Sequence, residues 1–293
     1  MLTSEKRKEL QGLASDIRTH TVRMISKIGV GHVGGSLSVA DVLACLYGGI
    51  MRIDPKDPRW ELRDRLVLSK GHAGPAMYAA LALRGYFPMA MLDTLNQPPT
   101  NLPSHTDMNR TPGVDMTTGS LGQGISAAAG MALGALMDGK NNRVYCILGD
   151  GECQEGQVWE AAMFAAARNL HNLIAVIDEN GRQLDGSLEE IMGPPNFDLK
   201  FKAFGWNVED VADGNDVSQV WEALERAGNN SSGPTAVILH TVKGKGWRYA
   251  ESLDNNHNFK VSSAQAAEAE TEFQSIKTED SPIKHEGGEG DGR

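Results

Sequence analysis

Cysteine is scarce: Cys45, Cys146 and Cys153 are the only three in 293 residues. The number is odd and no pair has the spacing of metal ligands, which argues against a disulfide scaffold or a zinc site. They read as reduced thiols, and the expected location is cytoplasmic. Aromatic residues make up 6%, too few for a β-sandwich built on aromatic layers. A basic excess is lacking as well. The formal net charge is -10, which excludes nonspecific nucleic-acid binding through phosphate contacts. No apolar run reaches the length of about 18 residues that a membrane-spanning helix needs. The opening MLTSEKRKEL reads as a charged helix start rather than a signal peptide. What the chain does have is 33 glycines on a 40% hydrophobic background, the balance of an α/β enzyme with closely packed backbones.

The pattern predicts one large domain over residues 1–262. From Ala264 to Arg293 there are eight acidic residues against three basic ones and few large hydrophobes. Such a segment buries too little apolar surface to offset its ordering entropy, so residues 263–293 are expected to be an acidic, disordered tail. Leu10, Leu13, Ile17, Met24 and Ile28 share a face of an opening helix. Ser38 and Asp41 are placed as a capping box for a helix through Leu46. A small-residue helix is expected from about Gln123 to Met137. Val144–Leu148 and Leu173–Ile177 are short apolar runs flanking a helical segment from Gln157 to Asn169. That is a βαβ unit, and so a parallel sheet with helices on both faces. Thr235–Leu239 is a third strand. The Trp159/Phe164 pair is expected to serve packing.

Asp150 lies just past one strand and Asn180 just past the next, so both fall on the carboxyl edge, where open α/β sheets bind ligands. Two oxygen donors held there suit a hard divalent cation that keeps room for phosphate oxygens. Gly149 and Gly151 leave space for a phosphate to approach the backbone. Taken alone, Gly-Asp-Gly is more readily a plain turn than a ligand site.

The wider pattern is more specific. Gly149-Asp-Gly-Glu-Cys-Gln-Glu-Gly156, Trp159-Glu-Ala161, Leu173-Ile-Ala-Val-Ile-Asp-Glu-Asn180 and Gln183-Leu-Asp-Gly186 resemble the thiamine diphosphate fingerprint of transketolases. Upstream, Gly31-His-Val-Gly-Gly-Ser36, Arg63-Asp-Arg-Leu-Val-Leu-Ser-Lys-Gly-His72 and Thr111 to Gly124 follow in the same family order. From about residue 10 to 260 the chain is similar to the pyrophosphate-binding half of the family, and most of all to the N-terminal subunit of split transketolases.

The resemblance implies roles for particular residues. Asp150, Asn180 and the backbone carbonyl of Arg182 would ligate Mg2+, or Ca2+ or Mn2+ in its place. Gly149, Gly151, His72 and His257 would hold the diphosphate, and Gly119 and Leu121 the aminopyrimidine ring. His32 and His105 would line the substrate channel, while Glu155 and Glu160 would join a carboxylate network between paired sites. Lys243 and Lys245 either reach phosphate or lie in a solvated loop. His20, His171, His240 and His285 are expected to be structural or solvated. The implied reaction moves a two-carbon ketol unit from a ketose phosphate to an aldose. The activating glutamate of the family lies on its pyrimidine-binding domain, so the implied partner is a C-terminal transketolase subunit in an α2β2 heterotetramer that acts on sugar phosphates, without nucleic acid or membrane. Ser104 and Thr106 around His105, and Val33 after His32, depart from the family pattern and bear on donor specificity.

Four other readings remain. A 2-oxo acid dehydrogenase subunit shares the metal motif but not the set His32, His72 and His105. A 1-deoxyxylulose-phosphate synthase-like chain or a transketolase for a specialised pathway sugar differs only in substrate. A nicotinamide-dependent oxidoreductase is suggested by Gly29-Val-Gly-His-Val-Gly34, but that fingerprint must follow a strand, and here a helix precedes it.

Overall fold

The β-branched runs become the inner strands of a five-stranded parallel sheet. The computed structural model describes residues 2–279, in the order α1 (Ser4–Ile28), β1 (Val30–Gly31), α2 (Gly34–Leu37), α3 (Ala40–Cys45), β2 (Arg65–Leu68), α4 (Gly74–Leu83), α5 (Gly124–Met137), β3 (Val144–Gly149), α6 (Gly156–Ala167) and β4 (Leu173–Glu179). Then follow α7 (Leu188–Met192), α8 (Phe197–Ala203), β5 (Asn207–Val211), α9 (Val217–Asn229), β6 (Thr235–His240), α10 (Arg248–Ser252), β7 (Phe259–Lys260) and α11 (Ser263–Glu279). The sheet order is β2-β3-β4-β6-β5, every pairing parallel. β1 and β7 form a separate antiparallel ribbon.

Period-two alternation divides the interior into two cores. Tyr145, Ile147, Ile174, Val176, Val237 and Leu239 point to one face, among residues of α1, α3, α4, α9 and α11. Cys146, Leu148, Ala175, Ile177, Ala236 and Ile238 point to the other, against α5, α6 and α8. The inner strands β3, β4 and β6 are therefore apolar along most of their length, as a sheet covered on both sides requires, while the edge strand β5 is largely polar. All three cysteines are free and buried in these layers. Among the described residues no helix is long and apolar enough to cross a membrane. The Gly29–Gly34 fingerprint follows α1, not a sheet strand, which removes the nicotinamide reading.

Two expectations need correcting. Ser38 does not cap α3. Its hydroxyl donates to Asp178 at 2.7 Å, and Asp41 is taken by a buried ion pair with Arg18. The segment from Ser263 to Glu279 is a helix that packs on α1, so the fold continues past residue 262. Ala266, Ala269 and Phe273 are buried against α1, the Ser15 hydroxyl donates to the Phe273 carbonyl at 2.7 Å, and Arg23 pairs with Glu270. Two of its three inward residues are alanines, so its apolar face is nearly silent in a hydropathy pattern. A legible signal was available: Ser262 and Gln265 form a reciprocal cap, with Gln265 N–H donating to the Ser262 hydroxyl and Ser262 N–H to the Gln265 side chain. Residues 280–293, with His285 and the glycine-rich end, lie outside the described residues.

Phe273 has no solvent exposure, and truncating a buried phenylalanine costs about 3–5 kcal/mol. Phe273→Ala is therefore expected to lower the urea-unfolding free energy by that amount, as is removal of everything after Ser262 in direction. An unchanged unfolding curve for both would contradict the docking of α11.

Candidate functional site

The carboxyl ends of four strands converge on one cleft. β2 leads into Ser69, Lys70 and His72; β3 into Asp150, Gly151 and Glu152; β4 ends at Asp178 and Glu179 before Asn180; β6 is followed by Thr241 and Lys243. A cavity of about 430 Å³ opens there, lined in part by Lys70, His72, Asp150, Asn180, Lys243 and His257. Leu121, Gly149, Gly151, Glu155 and Arg182 also reach it.

Asp178 is the hub. Lys70 donates to its Oδ2 at 2.5 Å, Ser38 at 2.7 Å and the Asn180 amide at 3.2 Å, while Thr241 donates to Oδ1. Burial alone would raise this carboxyl, but the Lys70 ammonium and the two hydroxyls hold it below the usual carboxylate range. Asp150 is the reverse case. Its carboxylate accepts from the backbone N–H of Gly151 at 2.8 Å, Asn180 at 2.8 Å and Gly181 at 2.7 Å. Burial and then the negative charge of Asp178 still push it up to about 6. A carboxylate held uncomfortably in this way gains from a cation beside it.

The Asn180 side-chain oxygen accepts from Arg182 N–H at 3.2 Å, and the Arg182 carbonyl accepts from the Lys243 ammonium at 2.9 Å. Burial, and next the Lys70 charge, brings Lys243 down to about 8. Of the two readings of Lys243, the solvated one is corrected: the side chain is buried in the cleft wall. Gly151 is held to glycine by its surroundings, since a Cβ there would lie 2.9 Å from Gln183 Cβ. Gly149 is under no such demand, its nearest neighbour to an added Cβ being 3.8 Å away.

His32, His72, His105 and His257 come from four separate stretches and meet as a cluster. Ring centroids lie 5.4 Å apart for His32–His72, 5.5 Å for His32–His105, 5.2 Å for His32–His257 and 4.8 Å for His72–His257. Gly119 has φ 129, and a Cβ on it would fall 2.6 Å from the His105 ring, so it seats that ring rather than lining the cleft. Burial lowers the pKa of all four histidines, with Lys70 adding to the effect at His72 and Lys243 at His257, which falls to about 4. All are neutral near pH 7. They are donors and acceptors suited to hydroxyl groups rather than cations.

Leu121 and Glu155 stand exposed at the rim, while Glu160 faces solvent on α6 and does not line the cleft. Trp159 does serve packing, but not with Phe164: its ring lies against Phe201 of α8 and Phe204 just after it, and its indole N–H donates to the Cys153 carbonyl at 2.9 Å, while Phe164 is exposed. His20 and His171 lie apart from the cluster, and His240 bonds Asp210 at 2.8 Å. Sequence reasoning missed Lys70, Asp178 and Glu152. Glu152 is buried and accepts from Ser69, Gly122 N–H at 2.8 Å and Gly149 N–H at 3.0 Å, tying the Gly119–Gly122 turn to the end of β3. Ionisable residues set among apolar or small ones at strand ends were the available signal.

The profile of the family described as "Transketolase, thiamine diphosphate binding domain" matches residues 10–279. The chain is 54% identical over 271 residues to the 6-deoxy-6-sulfo-D-fructose transketolase subunit SqwG of Clostridium sp. (strain MSTE9), a match that covers 92% of this chain and 98% of that one. It is 36% identical to an apulose-4-phosphate transketolase subunit of Phocaeicola vulgatus, over 86% and 89% of the two chains. The crystal structure of transketolase from Campylobacter jejuni superposes with a TM-score of 0.85 at 29% identity, covering 94% of this chain and 46% of that one. The chain thus spans less than half the length of the solved transketolases it matches. It belongs to the transketolase family, as the thiamine diphosphate binding domain.

The neutral histidines make stability depend on pH in a defined direction. Their folded pKa values lie below the ordinary 6.5, so below about 6.5 these four positions bind more protons in the unfolded chain and their own contribution to stability rises with pH, against the raised Asp150, which contributes in the opposite direction. Between about pH 7.5 and 5.5 the change in melting temperature of the ligand-free chain is expected to be more unfavourable than that of His257→Gln, which lacks the buried neutral imidazole. An equal change in both proteins would contradict a buried neutral His257.

Proposed function

We propose that this chain is the N-terminal, diphosphate-binding subunit of a split transketolase that moves a two-carbon ketol unit between sugars. The observation that carries the reading is a cluster of four neutral histidines, of which His72 and His257 line a cleft that Asp150, Asn180 and Arg182 also line. The cleft suits the cofactor on its own terms. Gln183 Oε1 and His257 Nδ1 are buried there without a hydrogen-bond partner, and Gly151 leaves its wall bare. An all-oxygen donor set fits a hard cation, Mg2+ first and Ca2+ or Mn2+ as substitutes. Asp150, Asn180 and the Arg182 carbonyl would hold it, once Lys243 releases that carbonyl. Gly149, Gly151, His72 and His257 would hold the diphosphate, with Gly119 and Leu121 towards the ring.

Thiamine diphosphate, when bound, supplies an electron sink for the transferred fragment. The chain's own residues do the rest of this half of the work. His32 and His105, uncharged and able both to donate and to accept, would orient the hydroxyls of the donor sugar and move protons at them. Glu155 and Glu160, exposed on this chain, would meet the second subunit. That partner is a C-terminal transketolase subunit carrying the pyrimidine-binding domain, in an α2β2 assembly. Free buried cysteines support a cytoplasmic setting. The SqwG name makes 6-deoxy-6-sulfo-D-fructose the first donor to test, ahead of a ketose phosphate such as xylulose 5-phosphate.

A coupled assay with thiamine diphosphate, Mg2+ and either donor, with an aldose phosphate acceptor, is run on this chain alone and on this chain with a C-terminal transketolase subunit encoded beside it. Activity is expected only in the mixture, with the sulfo-sugar as the better donor. Turnover by the chain alone would refute the split-site reading, and preference for xylulose 5-phosphate would refute the donor assignment.

A further inference from the structure

A second cleft, of about 850 Å³, opens at the other end of the sheet. Arg65 begins the four-residue β2, whereas Lys70 lies two residues past its carboxyl end, and five extended residue steps at about 3.3 Å each separate the two by roughly 16 Å. Four arginines line this cleft, Arg59, Arg63, Arg65 and Arg110, against Asp57 and Asp115. Such a concentration of positive charge is unusual on a chain of net charge -10.

The four arginines are not equivalent. Arg63 is buried and fully engaged: it forms a two-pronged pair with Asp115, and its Nε donates to the Pro58 carbonyl at 2.7 Å. Asp115 is committed too, since it also accepts from Leu66 N–H at 2.8 Å. That leaves Arg65, half-buried beside this neutralised pair, with no hydrogen bond or ion pair to its guanidinium among the described residues. Burial, and then the charge of Arg63, lowers its pKa. Arg59 is exposed, and Arg110 reaches only Asp107, at 3.5 Å. A half-buried guanidinium with unused donors, only partly solvated, gains from an anion that completes it.

We propose that this cleft is an anion site separate from the cofactor cleft, which takes the phosphate group of a small phosphorylated metabolite on Arg65 with help from Arg59 and Arg110. The fork of a guanidinium matches phosphate oxygens two at a time. Val114 and Met131 on the cleft wall give an apolar surface for the carbon skeleton, which a bare inorganic ion would not use.

The test is isothermal titration of the full-length chain with ribose 5-phosphate and, separately, with inorganic phosphate. Arg65→Gln and Arg59→Gln are titrated in parallel; the second alters an exposed side chain and so does not threaten the fold. Saturable binding of ribose 5-phosphate is expected, weakened at least about tenfold by each substitution, the scale of one charge-assisted hydrogen bond. Weaker binding of inorganic phosphate at the same arginines would assign the skeleton to the apolar wall, and equal binding would overturn that part of the proposal. No saturable binding of either probe, or affinities untouched by both substitutions, would overturn the site.

Discussion

The ion pair between Lys70 and Asp178 is the constraint on which the rest of the site depends. Both groups are almost wholly buried, and taking each out of water costs several kcal/mol. The attraction between them offsets that cost only because the remaining oxygen capacity of Asp178 is filled by Ser38, Thr241 and Asn180. Those partners come from the α2–α3 segment, from the residue after β6 and from the residues after β4. The pair therefore ties together ends of the chain that are distant in sequence, and it fixes the amide of Asn180 within the cleft. It also sets local electrostatics: Asp178 raises Asp150, and Lys70 helps to keep His72 neutral and to lower Lys243.

From this follows the character of the cleft. It joins a carboxylate that favours a cation with four uncharged histidines that favour hydroxyls, all at one sheet edge. A charged polyanion and a polyol can sit side by side in such a place. The family to which the chain belongs uses a larger protein for its reaction, and this chain spans under half of the solved members. Leu121 and Glu155 stand exposed at the rim of the cleft.

Much of this was legible in the sequence. Val144–Leu148, Leu173–Ile177 and Thr235–Leu239 are β-branched or apolar runs that only a doubly covered sheet accommodates, and each is a central strand. His32, His72, His105 and His257, selected from glycine-rich or family-like surroundings, do meet in space. The failures have physical causes. Lys70 and Asp178 sit 108 residues apart and look like ordinary charges until the parallel register brings them together. Ser38 has the makings of a cap, yet a buried carboxylate claims its hydroxyl. The helix from Ser263 hides its inward face because alanine packs well while contributing little to a hydropathy pattern.

The central claim is that Asp150 and Asn180 hold a divalent cation through which thiamine diphosphate is bound. Titration of the purified chain with thiamine diphosphate, in the presence of Mg2+ and again in excess chelator, tests it most directly, with Asp150→Ala as the comparison. The account predicts saturable binding with Mg2+ that disappears in chelator and in the variant. Binding of equal strength in chelator, or by Asp150→Ala, would contradict it.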